Sequence, residues 1–201
     1  MMKKHFFAIL ALVGMTGLSH GAVIIFSNQN IPIPSTFVGV YVDLETGSNG
    51  AVGFAGADIN LFFGGEAMSN DADPTVSTPS TQFLRTGSGF QDSARNSALN
   101  SAVDAASSFF SSGYGESGGI NDHLNTEFTA GTKGYLGFTT IIAGSTTVYG
   151  FMEVTLTANG AGIIHGWQYE DTGGAINVVP EPSVGLFSLL SLCILAIRRR
   201  R

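Results

Sequence analysis

An all-β fold, an antiparallel β-sandwich of jelly-roll-like form over residues 22–178, follows from three observations. Short apolar segments recur along the chain and are separated by Gly, Asn, Ser and Asp. The clearest of them alternates, with Val148, Gly150, Met152, Val154 and Leu156 on one set of positions and Glu153 and Thr155 between them. That is the period of a strand buried on one face. The only cysteine, Cys193, lies near the C-terminus, so the body has no disulfide and must be held by its core.

The chain opens with the marks of a Sec signal peptide over residues 1–21. Lys3 and Lys4 form a basic start, Phe6 to Leu18 is apolar, and Ser19-His20-Gly21 puts small residues at −3 and −1 for cleavage before Ala22. A cut after Ala22 would place His20 at −3, which is less favourable. No lipobox cysteine is present, which argues against a lipoprotein. The segment implies passage through the Sec translocon and processing by signal peptidase.

In the body the strand candidates are Ala22 to Ser27, Phe37 to Asp43, Asp58 to Phe63, Tyr135 to Ile142, Thr147 to Thr157 and Gly162 to Tyr169. Asn159-Gly160 predicts a hairpin between the last two. Asn70 to Ser80, with two prolines, and glycine-rich Gly113 to Asp122 read as exposed loops. From Asp92 to Phe110 the residues Ala94, Ala98, Leu99, Ala102, Val103, Ala106 and Phe110 have helical spacing behind an Asp92 cap. The many Ser and Asn residues there weaken a helix, and a loop crossing the sheet edge is the alternative.

Residues 179–201 have three parts. Pro180 and Pro182 make Val179-Pro180-Glu181-Pro182 a stiff, extended strip. Val184 to Ile197 follows, with only Ser188 and Ser191 as polar side chains. As a helix it would rise roughly 21 Å, short of the roughly 30 Å hydrocarbon core of a bilayer. Its length alone would also suit a buried helix. Arg198, Arg199, Arg200 and Arg201 decide for a short transmembrane helix, because snorkelling arginines extend the span and hold its end in the cytoplasm.

This tail resembles the PEP-CTERM sorting signal of Gram-negative bacteria that make exopolysaccharide, with the strip, the apolar helix and the arginine cluster in the family's order. The resemblance implies that exosortase, an integral-membrane protease-transpeptidase, recognises Val179, Pro180, Glu181 and Pro182, with Arg198 to Arg201 as the membrane stop. It further implies transient residence in the inner membrane, then the cell surface or extracellular matrix. A second resemblance covers the body: Gly134 to Phe138, Tyr149 to Val154 and Gly166 to Glu170 are similar to blocks common in such proteins, with Phe151 where Trp is usual and Gln168 where Ala is usual.

Charge excludes one class of partner. Of nine basic residues only Arg85, Arg95 and Lys133 fall between Ala22 and Pro182, against all fifteen acidic residues, a net of −12. Such a body repels phosphate backbones, so no nucleic acid is expected. Gly115-Glu116-Ser117-Gly118-Gly119 satisfies a nucleophile motif, but Ser117 lacks the strand before and helix after that a hydrolase elbow needs. No histidine lies between Ala22 and Ser117, as the chymotrypsin order would require. His123 or His165 with Glu153 could complete a triad only in the hydrolase order. Asp71-Ala72-Asp73 begins like a calcium loop, yet Val76 and Gln82 stand where Gly and Glu are needed. His123 and His165 lack the histidine partner of a zinc site.

No catalytic residue, metal or cofactor is therefore assigned. Under strict alternation His165, Trp167 and Tyr169 share a strand face, a candidate platform for stacking a sugar of an exopolysaccharide; the plainer reading makes Trp167 a core or edge aromatic. The expectation is a structural or adhesive protein of the surface or matrix, without catalytic activity. A secreted carbohydrate-binding module or a hydrolase of polysaccharide or ester is the alternative.

Overall fold

The computed structural model describes residues 21–70, 72–75, 80–86, 94–114, 127–157 and 160–179. These contain no helix. Their strands are β1 (Val23–Phe26), β2 (Ile31–Ile33), β3 (Val40–Val42), β4 (Asn49–Gly50), β5 (Ile59–Phe62), β6 (Ala67–Ser69), β7 (Gln82–Leu84), β8 (Ala102–Val103), β9 (Phe109–Phe110), β10 (Ser112–Tyr114), β11 (Lys133–Ile142), β12 (Thr146–Thr155), β13 (Gly162–Glu170) and β14 (Ile176–Asn177). All pairings between them are antiparallel.

A seven-stranded sheet runs β1-β13-β12-β11-β7-β9, with β2 also paired to β13, and a five-stranded sheet runs β10-β6-β5-β3-β4. One hydrophobic cluster joins them. Val40, Val42, Ile59, Leu61 and Met68 of the smaller sheet meet Phe83, Leu136, Phe138, Met152, Val154 and Trp167 of the larger. Burying this apolar surface is the main favourable contribution to folding.

The alternation read from Thr147 to Thr157 is realised: Val148, Met152, Val154 and Leu156 all enter the shared cluster. The opposite face is buried as well. The two-stranded β8-β14 sheet brings Val103, Ile176 and Val178 over Phe151, with Tyr135, Tyr149 and Phe109 packed around them. The central strands are thus covered on both sides, which the pattern for a half-buried strand did not predict.

All six strand candidates contain strands, and the predicted hairpin partners pair as β12 and β13. The helix weighed for Asp92 to Phe110 is not formed over residues 94–110, which instead make two isolated bridges and the strands β8 and β9. Arg85 bridges Ala94 and Asn96 bridges Leu136, before β8 and β9 form. The side chains that disfavour helix bind backbone here: Asn96 Oδ1 accepts from Tyr135 N at 2.9 Å, Ser101 Oγ donates to Ala98 O at 2.6 Å, and Asp104 Oδ1 accepts from Ala106 N at 2.9 Å. Two loop expectations also change at their starts. Asn70 is buried, its Nδ2 donating to Thr81 O, and Gly113 and Tyr114 belong to β10, paired with β6.

Gly150 stands opposite Phe138 in the β11-β12 register. A Cβ there would run into the Phe138 ring and the Gln168 carbonyl. Gly150→Ala is expected to lower stability by about 1–3 kcal/mol through overpacking, read from the midpoint and slope of urea unfolding.

Candidate functional site

A group of acidic side chains lies where β3 ends and β5 begins. Because Val42 pairs with Ile59, the next residues outward, Asp43 and Asp58, meet at the end of the ladder, and Asp58 N donates to Val42 O at 2.8 Å. Asp43 folds back on the following turn: its Oδ1 accepts from Glu45 N and Thr46 N, both at 2.8 Å, and its Oδ2 from Thr46 Oγ1 at 2.6 Å. Asp58 reaches across to the other sheet. Its Oδ2 accepts from Leu44 N at 2.7 Å, and its Oδ1 from Thr81 Oγ1 at 3.1 Å and from Thr140 Oγ1 of β11 at 3.3 Å. The two hydroxyls are themselves 2.7 Å apart.

With Glu45, Asn70 and Asp73, these residues line a cleft of about 220 Å³. Burial pushes the Asp58 carboxyl above its ordinary range and the charge of Asp43 adds to this, while the bonds from Leu44 N, Thr81 and Thr140 oppose it. Asp73 behaves oppositely, held low by bonds from Gly56 N at 2.6 Å and from the Thr75 hydroxyl and amide. The cleft therefore combines one carboxyl whose proton affinity is raised, Asp58, with one whose proton affinity is lowered, Asp73. Among the described residues no group of three or more His, Cys, Asp or Glu side chains is placed to hold a metal ion.

Sequence reasoning missed this pair although the signal was present. Two strand candidates, one ending in Asp43 and one starting at Asp58, bring those aspartates together once they pair antiparallel.

The aromatic platform is corrected. Trp167 and Tyr169 are 2% and 3% exposed, so a sugar ring has no face to stack on. The reason is a β-bulge. The β12-β13 register shifts between Glu153 and Val154, so that Glu153 faces Gly166 and Val154 faces Ile164, which leaves His165 as the extra residue. Alternation reverses there: Ile164, Trp167 and Tyr169 share the core, while His165 leaves their face. Trp167 stacks on Phe26 with ring centroids 4.8 Å apart and donates from Nε1 to Leu44 O at 2.9 Å. His165 Nε2 is 2.9 Å from Thr155 Oγ1, and Lys133 pairs with Glu153 nearby. Burial, then the charge of Lys133, hold the His165 ring below its ordinary pKa, against the pull of Glu153.

Of the other sequence-predicted residues, Val179 is the last described; it is 40% exposed, and its carbonyl accepts from Gln168 Nε2 at 3.4 Å. Pro180, Glu181, Pro182 and Arg198 to Arg201 lie outside the described residues, as do Ser117, His123, Asp71, Cys193 and the apolar segments at both ends. Among the described residues no helix is long and apolar enough to cross a membrane. Residues 134–138, 149–154 and 166–170 lie in β11, β12 and β13, adjacent strands of one sheet. Compared with protein-family models, with curated proteins and with solved structures, the chain gives no match.

Two outcomes are expected. The folded protein binds the Asp58 proton more tightly than the unfolded chain does. The stability from this group is therefore present below the ordinary value near 3.8 and is lost as pH rises through the raised value. Asp58→Asn removes that contribution, so wild type should gain more than the variant when acidified from about pH 7 toward that range, as measured by urea midpoints. Trp167→Ala is expected to lower stability by about 3–5 kcal/mol, seen as a lower thermal midpoint.

Proposed function

We propose that the chain is a PEP-CTERM protein, exported by Sec, held transiently in the inner membrane by its C-terminal helix, and processed by exosortase for the cell surface or extracellular matrix. In this reading the body is a jelly-roll-like antiparallel β-sandwich whose work is structural or adhesive, without catalytic activity. Exopolysaccharide is its candidate partner in the matrix.

One observation carries the proposal. Among the described residues Ala22 N donates to Asp171 Oδ1 and the Val179 carbonyl accepts from Gln168 Nε2, so both are tied into the fold. Those are the residues that directly follow the signal-peptide cut read from Ser19-His20-Gly21 and directly precede Pro180-Glu181-Pro182. A cut at either point leaves these two ties of the described body in place. The shared cluster between the sheets supports the sandwich assignment, and the body's acidic charge suits a protein that must stay soluble outside the cell. With Trp167 and Tyr169 buried, a glycan contact in this reading does not use those two rings.

Replacing Pro180, Glu181 and Pro182 together by alanine leaves the apolar run and the arginines intact. In the native host the variant is expected to stay in the membrane fraction with its C-terminus uncut, while wild type appears in the surface or matrix fraction without it. Mass spectrometry of the C-terminal peptide reads the difference. Equal release and trimming of both proteins would reject the sorting assignment.

A further inference from the structure

The end of β1 that leads toward the N-terminus is held by one carboxylate. Ala22 N lies 2.8 Å from Asp171 Oδ1, and Asp171 N donates back to Ala22 O at 3.1 Å, so residue 171 grips both polar groups of residue 22. The β1-β13 ladder starts on the next rung, Val23 with Glu170, and runs through Ile24-Tyr169 and Ile25-Gln168 to Phe26-Trp167. Gly21 lies against the Glu170 carboxylate and the Thr172 hydroxyl, where a Cβ would overlap Glu170. Glu170 is itself fixed: its Oε1 accepts from the Thr172 hydroxyl and its Oε2 from the amides of Thr172 and Gly174.

β1 is an edge strand of this sheet. Val23 and Ile25 on its outer face are 47% and 49% exposed, while Ile24 and Phe26 pack on the core. The end of an edge strand, paired on one side only, is where fraying begins.

Hydrolysis of the Gly21–Ala22 peptide bond adds one water, leaving a carboxylate on Gly21 and an ammonium on Ala22. The nitrogen facing Asp171 then changes from a neutral amide with one N–H to a cation with three. We propose that this new α-ammonium forms an ion pair with Asp171 and that the pair clamps β1 onto β13, making signal-peptide removal the step that secures the edge strand. The charged groups facing it are Asp171 and Glu170, both from β13 and the turn that follows it. Between Ala22 and Pro182 the chain has only three basic side chains, Arg85, Arg95 and Lys133, so the new terminus is a fourth cation placed against two acids. An opposite charge at hydrogen-bond distance favours the protonated amine, which ordinarily titrates near 7.7–8.0. The inference rests on the export reading above, through the position of the cut.

The test uses full-length wild type and Asp171→Asn, each passed through the host's export pathway and purified after it. Edman sequencing reads the first residue. A start at Val23 or elsewhere would overturn the cut and the proposal with it, while the C-terminal peptide separately reports on the sorting reading. With Ala22 first, NMR titration of its α-amino group should give a pKa above the ordinary range in wild type and a fall toward that range in Asp171→Asn. Selective acetylation of the α-amine should speed hydrogen exchange of the Ile24 and Phe26 amides several-fold in wild type and have little effect in Asp171→Asn. An unshifted amine, or equal effects of acetylation in both proteins, would reject the clamp.

Discussion

The indole of Trp167 ties three parts of the molecule together. It stacks on Phe26 of β1, and its N–H reaches the carbonyl of Leu44 in the turn after β3. One residue thus ties the edge strand β1 and its neighbour β13 of the larger sheet to the turn that leaves β3 of the smaller sheet. Burying an indole without a partner for its N–H would be costly, so the turn from Asp43 to Ser48 must hold the Leu44 carbonyl in place. That turn is fixed by the Asp43 carboxylate, and Asp58 fixes the amide of Leu44. The acidic cleft and the aromatic core therefore share the backbone of one residue.

Trp167 reaches the interior only because β13 bulges at His165. The bulge also explains why the first part of the chain is two short strands. β1 pairs with residues 167–170 and β2 with residues 162–164, on either side of the extra residue. The His165 carbonyl takes the amide of Gln29 at 2.8 Å, between those strands. Asn28 and Asn30 adopt left-handed backbone with φ of 54° and 50°, which asparagine tolerates better than most residues. The parity of the core residues changes in step on both chains, from Ile24 and Phe26 to Ile31 and Ile33, and from Ile164 to Trp167 and Tyr169.

The six strand candidates were legible because each carries its own apolar run and is bounded by turn residues. The bulge was not read, although Gly166 beside His165 is the kind of strand-interior glycine that marks one; the apolar period alone gives only regular alternation. Strands such as β4, β8, β9 and β14 have two residues each, too short for any period, and exist through their partners. Asp92 to Phe110 misled through apolar spacing that fits a helix while its Ser, Asn and Asp side chains favour backbone bonds. The acidic pair was written at the ends of two recognisable strands, but its meaning required knowing that those strands are neighbours. The β8-β14 cover was hidden for the same reason, since Phe151 reads as an exposed aromatic until a distant segment is laid over it.

That cover has a mechanical side. Val178 N donates to Ser101 O and Asn100 N to Val178 O, and Ile176 faces Val103, so the C-terminal end of the described chain is stitched to residues 100–103 before it reaches the large sheet. Tension applied to the chain beyond Val179 meets the Gln168 contact and these few bonds first, in succession, while the long β11-β12-β13 ladders lie behind them. A body pulled from this end would lift β14 away and bare Phe151 while both main sheets remained intact, so the small sheet sets the force at which the protein begins to open.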